Sequence, residues 1–311
     1  MSARWQDLLA EGGLPRLEAR MLLEHASGRS RSWLIAHGDE EADAATAKRH
    51  IALVRRRIAG EPIAYLVGSR EFHGLPLRVN ASVLIPRAET EVLVARAIAL
   101  APPGSRLLDL GTGSGAVAIA VAAARPDLAV TATDLSGAAL RVAQVNADAL
   151  LPRDRAGGPL RLLAGDWWQA LPEDEAPFDI VVSNPPYVAE GDPHLAQGDL
   201  RFEPRTALVS GREGLDALCR IVARADAHLS PGGRLLLEHG HEQGEAVRSL
   251  FRADARWQDV RTMPDREGRP RVTESRFGQA APTASSGSTK AKASPRDPAE
   301  GTSQDTSHAP A

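Results

Sequence analysis

A chain of 311 residues, 43% hydrophobic and 25% charged, has room for one large or two modest globular domains with a buried core. Its formal net charge of −3 argues against a dominant basic surface for holding nucleic acid and leaves room only for a local basic patch. The single cysteine, Cys219, excludes an internal disulfide and reads as a small core residue at helical spacing.

No apolar run approaches the roughly 20 residues that span a bilayer. The opening Met1-Ser2-Ala3-Arg4-Trp5 carries no signal-peptide stretch, so a cytoplasmic location is expected. Residues 1–70 repeat apolar side chains at helical spacing in Leu17, Met21 and Leu22, and again in Ile51, Val54 and Ile58. Gly28, Gly38 and Gly60 punctuate this stretch, and Pro62 follows its last helical pattern. The prediction is a small domain of about four short helices. Residues 71–80 alternate around a turn signal at Gly74, which suits a hairpin or extended linker.

Residues 81–278 alternate strand and helix patterns. Strands are expected at residues 106–110, 129–133, 160–163, 178–183 and 234–238. Helices are expected at residues 116–124, 138–149 and 215–229, the last entering its strand through Pro231-Gly232-Gly233. Such alternation predicts an α/β fold, a mostly parallel sheet with helices on both faces. Residues 279–311 are Ala, Ser, Thr, Pro, Gly and Lys with almost nothing else apolar, the composition of a disordered tail.

The strand ending at Asp109-Leu110 runs into Gly111-Thr112-Gly113-Ser114-Gly115 and then a helix. Small residues there let backbone approach a ligand at the carboxyl end of a strand. A glycine turn alone is weak evidence, and this one lacks the third glycine position of the dinucleotide fingerprint. Asp134 ends the next strand about 20 residues on, where a carboxylate accepts hydrogen bonds from ribose hydroxyls. The same position also suits a helix cap before Leu135-Ser136. The pairing marks an adenosine-type ligand without naming it. Asp166-Trp167-Trp168 places an acid beside aromatic rings at another strand end; Trp167 is the preferred neighbour of an adenine.

Ser183-Asn184-Pro185-Pro186-Tyr187 ends a further strand. Its two prolines fix the backbone and remove two amide donors, leaving carbonyls with few local partners. The Asn184 side chain offers another carbonyl, so two hydrogen bonds from a planar NH2 group can be accepted, and Tyr187 supplies a ring to pack on a planar substrate. The lone pair of such a nitrogen is delocalised and a poor nucleophile. Acceptors that strengthen their hold as the nitrogen becomes positive accelerate methyl transfer to it. No general base is required first, because the proton can leave after transfer.

These residues resemble the class I S-adenosylmethionine methyltransferases, and the Asn-Pro-Pro-Tyr tetrapeptide narrows the likeness to methylators of amino groups. Within them the chain resembles the HemK/PrmC family, the peptide chain release factor N5-glutamine methyltransferases. The likeness is carried by residues 68–77, by Val83-Leu84-Ile85-Pro86-Arg87-Ala88-Glu89-Thr90-Glu91, by residues 109–115 and 201–208, and by Leu236-Leu237-Glu238-His239-Gly240. Ala88 stands where many relatives carry proline. The resemblance implies a Rossmann-like, seven-stranded sheet and S-adenosyl-L-methionine as cofactor. It implies that Gly111, Thr112, Gly113, Ser114, Gly115, Asp134, Trp167 and Asn184 contact that cofactor. Asn184, Pro185, Pro186 and Tyr187 would hold the substrate, with Asn184, Pro185 and Tyr187 catalytic. The substrate would be the glutamine of the Gly-Gly-Gln loop of class 1 release factors, gripped in part by the helical domain.

Arg87, Glu89 and Arg205 suit either the pocket lining or structural ion pairs. His239 and His241 stand two apart with no further ligands identified, so no metal is expected. Two rival substrates share the chemistry: a ribosomal-protein glutamine, and the N6 amine of adenine in nucleic acid. The second would bring a recognition domain or basic surface that residues 1–70 do not plainly show, so no direct nucleic-acid binding and no membrane association are expected.

Overall fold

The computed structural model describes residues 3–278, so the predicted disordered tail at 279–311 lies outside the described residues. Apolar residues at helical spacing build five α-helices in the first region rather than four: α1 (Trp5–Ala10), α2 (Arg16–Ser27), α3 (Arg31–Ala36), α4 (Ala44–Ile58) and α5 (Ile63–Val67). Ser30 and Asp43 cap α3 and α4 by accepting from the backbone amides of Trp33 and Thr46. Gly28 ends α2 in the left-handed conformation. The extra helix follows from Pro62, which opens α5 instead of closing the pattern before it. A missing N–H costs nothing where the first turn has no partner for it.

Strands β1 (Ser69–Phe72) and β2 (Leu75–Arg78) pair antiparallel around His73 and Gly74. Both turn residues have positive φ, 52° and 78°, the geometry whose twist matches a two-residue hairpin. Phe72 and Leu77 point from this hairpin into the main core.

After it come α6 (Glu91–Leu100), β3 (Arg106–Leu110), α7 (Ala116–Ala124), β4 (Ala129–Asp134), α8 (Gly137–Leu150), β5 (Arg161–Ala164) and β6 (Phe178–Ser183). The chain continues through α9 (Arg205–Leu208), α10 (Asp216–Val222), β7 (Leu229–Glu238), α11 (Gly244–Arg252), β8 (Trp257–Pro264) and β9 (Pro270–Phe277). The seven strands lie in the order β5-β4-β3-β6-β7-β9-β8. The first five run parallel, and β9 pairs antiparallel with both β7 and β8. This is the Rossmann-like fold of class I methyltransferases.

Alternation along the central strands serves both faces. Leu107, Ile180, Val182 and Leu236 face the core under α6 and α7, while Leu108, Leu110, Val181 and Leu237 face the core under α10 and α11. The expected helix at 215–229 stops at Val222, and β7 starts at Leu229 rather than Arg234. Phe178 pairs with Leu229 but Ile180 pairs with Arg234, so residues 230–233 bulge from the β6–β7 ladder. Cys219 is exposed, contrary to expectation: α10 turns Ala217, Leu218, Ile221 and Val222 inward and leaves Cys219 on the opposite face. The helical region joins the sheet region through Tyr65, whose hydroxyl donates to the Val83 carbonyl at 2.6 Å, and through Arg57, 3.5 Å from Asp199.

Candidate active site

Chain order reverses beside β3: β4 pairs on one side of it and β6 on the other. In a parallel sheet such a switch point opens a crevice at the carboxyl ends of the strands. A cavity of about 580 Å³ lies there. It is lined by the loop after β3, the ends of β4 and β6, Ser82, Leu84 and Pro86 after the hairpin, and Pro204, Thr206 and Ala207 near α9.

The loop after β3 is held from behind. Asp109 is buried, accepting from the Thr112 hydroxyl at 2.7 Å and from the Ala118 amide at 3.2 Å. Burial pushes its carboxyl up to about 7 against those two bonds. The amides of Gly111 and Thr112 both donate to the Thr133 carbonyl at 2.9 Å, tying the loop to β4. A side chain at Gly111 would sit 3.0 Å from the Trp167 ring, so glycine here lets the indole close over the loop.

Gly111, Thr112, Gly113, Ser114, Asp134, Trp167, Asn184 and Pro186 all line the cavity. Gly115, Pro185 and Tyr187 are not among its lining residues. Gly115 is required by packing: a Cβ there would stand 2.7 Å from Ile119 Cδ1 as α7 begins. The Tyr187 ring packs against the core beneath α10 and α11 instead of a cavity wall. Burial, then the charge of Glu238, holds its phenol above the ordinary range.

Asp134 is not a helix cap. Ser136 caps α8, while Asp134 accepts from the amides of Gly113 and Ser136, each at 2.8 Å. Burial raises its pKa and the two amides oppose the rise. Each carboxylate oxygen keeps a lone pair for a further donor. The two tryptophans divide: Trp167 faces the cavity with a φ of 51°, and Trp168 is core, its indole N–H donating to the Ile221 carbonyl at 3.1 Å. Asp166 pairs with Arg220 at the cavity edge. Asp109, Asp134, Asp166 and Asp216 line this space, and Arg220, the one basic lining residue, is paired with Asp166, so the lining carries more acid than base.

The tetrapeptide leaves β6 at Ser183, whose hydroxyl donates to the Leu110 carbonyl at 2.7 Å and locks the two strand ends together. The Asn184 Nδ2 donates to Thr90 Oγ1 at 3.1 Å, which turns its carbonyl oxygen away from Thr90. The Tyr187 carbonyl is taken by Gln243 Nε2 at 3.0 Å. Among the described residues, nothing donates to the Pro185 carbonyl.

Arg87, Glu89 and Arg205 do not line the cavity. Arg87 pairs with buried Glu203 at 2.6 Å, joining the 82–91 segment to the 193–208 segment that flank the opening. Both ring nitrogens of His239 are engaged, by the Gly240 carbonyl and by Thr273 Oγ1, each at 2.8 Å, so neither is free to bind a metal. Sequence patterns did not connect Thr90 or Glu238 to the tetrapeptide. Both lie in the stretches that carry the family resemblance, but no local spacing joins them.

Residues 2–68 match the PrmC N-terminal domain family, and residues 89–200 match the methyltransferase small domain family. A release factor glutamine methyltransferase of Bordetella pertussis is 51% identical over 272 residues, 86% of this chain and 97% of the relative. One from Burkholderia pseudomallei is 52% identical over 263 residues, 83% of this chain and 91% of the relative. A solved protein-(glutamine-N5) methyltransferase (release factor-specific) of Alicyclobacillus acidocaldarius is 30% identical, covering 65% of this chain and 99% of its own, with a TM-score of 0.38. At about half identity over more than four fifths of its length, the chain belongs to the release factor glutamine methyltransferase family.

Proposed function

We propose that the protein transfers the methyl group of S-adenosylmethionine to the side-chain amide nitrogen of the glutamine in the Gly-Gly-Gln segment of class 1 release factors, in the cytoplasm. The observation that carries this reading is Asn184. Its side-chain oxygen faces away from Thr90 at the edge of a cavity that also holds the glycine loop and Asp134.

In this reading Gly111 to Ser114 admit the donor, Gly115 lets α7 begin behind them, Asp134 binds the donor's ribose and Trp167 lies beside its adenine. The acidic lining suits a sulfonium, which loses its charge on transfer. The amide nitrogen attacks the methyl carbon, the carbon–sulfur bond breaks with its electrons going to sulfur, and the nitrogen then releases a proton. Asn184 Oδ1 and the Pro185 carbonyl accept from the NH2 group, and both bonds strengthen as the nitrogen becomes positive. Pro186 lines the substrate side. Tyr187 acts from behind, through its packing, rather than as a platform. Residues 1–70 serve as the release-factor recognition domain, residues 71–80 as linker and residues 81–278 as the catalytic domain. Among the described residues no helix is long and apolar enough to cross a membrane.

Labelled methyl transfer tests the substrate. The purified protein is offered release factor, ribosomal protein and nucleic acid in parallel with labelled donor. Label enters the release factor and is lost when the Gly-Gly-Gln glutamine is replaced; label confined to either rival overturns the assignment. Asp134→Ala tests the donor site by calorimetry. The donor Kd rises about ten- to hundredfold, the scale of one or two hydrogen bonds to a charged group. An unchanged Kd removes Asp134 from the ribose role.

A further inference from the structure

Glu238 is the last residue of β7 and is fully buried. It stands beside the tetrapeptide because Ser183 pairs with Leu237 in the β6–β7 ladder. The Tyr187 hydroxyl donates to its Oε1 across 3.5 Å. Its Oε2 is buried without a hydrogen-bond partner among the described residues. An unpartnered carboxylate oxygen in the interior is costly unless it serves another group.

The Thr90 hydroxyl accepts from Asn184 Nδ2, has one proton left to give, and bears on the Glu238 carboxyl without completing a hydrogen bond to it here. A hydroxyl owns a single proton. If Thr90 gives it to Glu238, Thr90 can only accept from Asn184. The Asn184 amide must then present its NH2 to Thr90 and its oxygen to the cavity. If Thr90 is free to donate to Asn184 Oδ1, the flipped amide becomes available, and a donor meets the substrate NH2 where an acceptor is needed.

We propose that Glu238 is a positioning residue for methyl transfer: through Thr90 it fixes the Asn184 side chain with its oxygen toward the substrate nitrogen. This rests on the amide-methylation reading above. Glu238 does not line the cavity, so it takes no part in the transfer itself. Burial pushes its carboxyl up to about 7, opposed by the Thr90 hydroxyl and Arg271, while Glu89 adds to the rise. Other charged or titratable groups around it are Tyr187, faced in turn by Arg87, and the adjoining His239, which burial keeps neutral near pH 7. Arg271 is itself shared with Asp265 at 3.3 Å. The ionised carboxylate is the stronger acceptor for the Tyr187 and Thr90 hydroxyls and has no proton of its own to give, so the working form is gained as pH rises through about 7.

Glu238→Gln conserves shape but replaces one acceptor by a donor. In this variant kcat falls about ten- to hundredfold, as when a group orienting a functional side chain is removed, while donor Kd and acceptor KM stay within about twofold. The wild-type kcat shows an acid limb near pH 7 that the variant lacks. Thr90→Val reproduces the loss and Thr90→Ser does not. Unchanged kcat in Glu238→Gln, or kcat and donor affinity falling together, overturns the proposal.

A second measurement needs no methyl acceptor. In 15N spectra the Asn184 side-chain amide, assigned by its absence in Asn184→Asp, follows one titration near pH 7, and Glu238→Gln abolishes it. A titration that persists in the variant overturns the inference, whatever the substrate proves to be. A wild-type protein that shows the titration but transfers no methyl to release factor refutes only the substrate assignment.

Discussion

Asn184→Ala lowers kcat by about 2–4 kcal/mol in barrier, roughly thirtyfold to several hundredfold, the range for removing one polar group aimed at transition-state charge. Donor affinity changes far less. The asymmetry follows from when the bond matters. An amide NH2 is weakly acidic before transfer, and its hydrogens become strong donors once the nitrogen carries the methyl group. Asn184 Oδ1 therefore gains strength along the reaction coordinate, and a group that binds more tightly in the transition state raises kcat rather than lowering KM. Alanine also frees Thr90 Oγ1, which loses its partner at 3.1 Å, but that hydroxyl sits at the end of a network and not in the cavity's donor-binding loop. Asn184→Asp separates the two functions. It keeps an acceptor oxygen and replaces the Nδ2 donor by a second oxygen, which Thr90 must then donate to. Single-turnover rates with donor titrations measure both variants. Near-normal turnover in Asn184→Ala sinks the amide-acceptor mechanism. Equal losses in turnover and donor affinity make Asn184 a binding residue only.

Where chemistry is local, this site is readable from the chain. The strand, glycine loop and helix over residues 106–124 are contiguous, and the structure returns the strand and helix at the bounds that the apolar runs predict. Trp167 and Trp168 part company for a reason visible only in three dimensions. One indole lies over Gly111, where a Cβ would crowd it, and its neighbour stacks on His228 in the core. Pro62 and Leu229 show the limit of boundary signals. A proline reads equally well as the end of one helix or the start of the next, and the 230–233 bulge hides the first residues of β7 behind a Pro-Gly-Gly turn signal. The tetrapeptide alone offers the Tyr187 ring for packing on a planar substrate, yet its packing turns it toward the core. Thr90 and Glu238 meet the tetrapeptide from distant parts of the chain, and nothing periodic in sequence announces such a contact.

Strands β8 and β9 are illegible as residues; only the family resemblance, with its seven-stranded sheet, implies strands beyond the five read from apolar runs. β9 is an interior strand, but Thr273, Glu274 and Ser275 are all fully buried in it. A period-two apolar pattern cannot signal a strand whose inward groups are polar. Each is satisfied instead: Thr273 by His239 and Thr262, Ser275 by the Gln258 carbonyl at 2.9 Å, and Glu274 by arginines. The cost of burying polar groups is offset by partners that other elements supply.

Glu274 is where that arrangement is most exposed to a single substitution. Its carboxylate takes a two-pronged contact from Arg96 of α6, at 2.6 and 2.8 Å, and another from Arg261 of β8 at 2.6 Å. Arg234 of β7 stands 3.7 Å away with its Nη1 buried and otherwise unpartnered. One fully buried negative charge thus faces three guanidiniums. Glu274→Gln leaves three like charges converging on a neutral amide. Removing one partner of a buried pair typically costs about 3–5 kcal/mol. The arginines here keep partial access to water, with side chains 26%, 55% and 21% exposed for Arg96, Arg261 and Arg234. They can turn outward and recover hydration, so the expected destabilisation is near the lower end, about 3 kcal/mol. Calorimetric unfolding then shows a melting temperature lower by roughly 6–10 °C. The damage reaches the active site by one further step. Arg96 docks α6 against β9, and α6 begins immediately after Thr90, the residue that holds Asn184. Below its melting transition the variant keeps its donor affinity, because the glycine loop and Asp134 stand on β3 and β4, away from this contact. An unfolding temperature within about 2 °C of wild type places the stabilising role elsewhere than in this charge cluster.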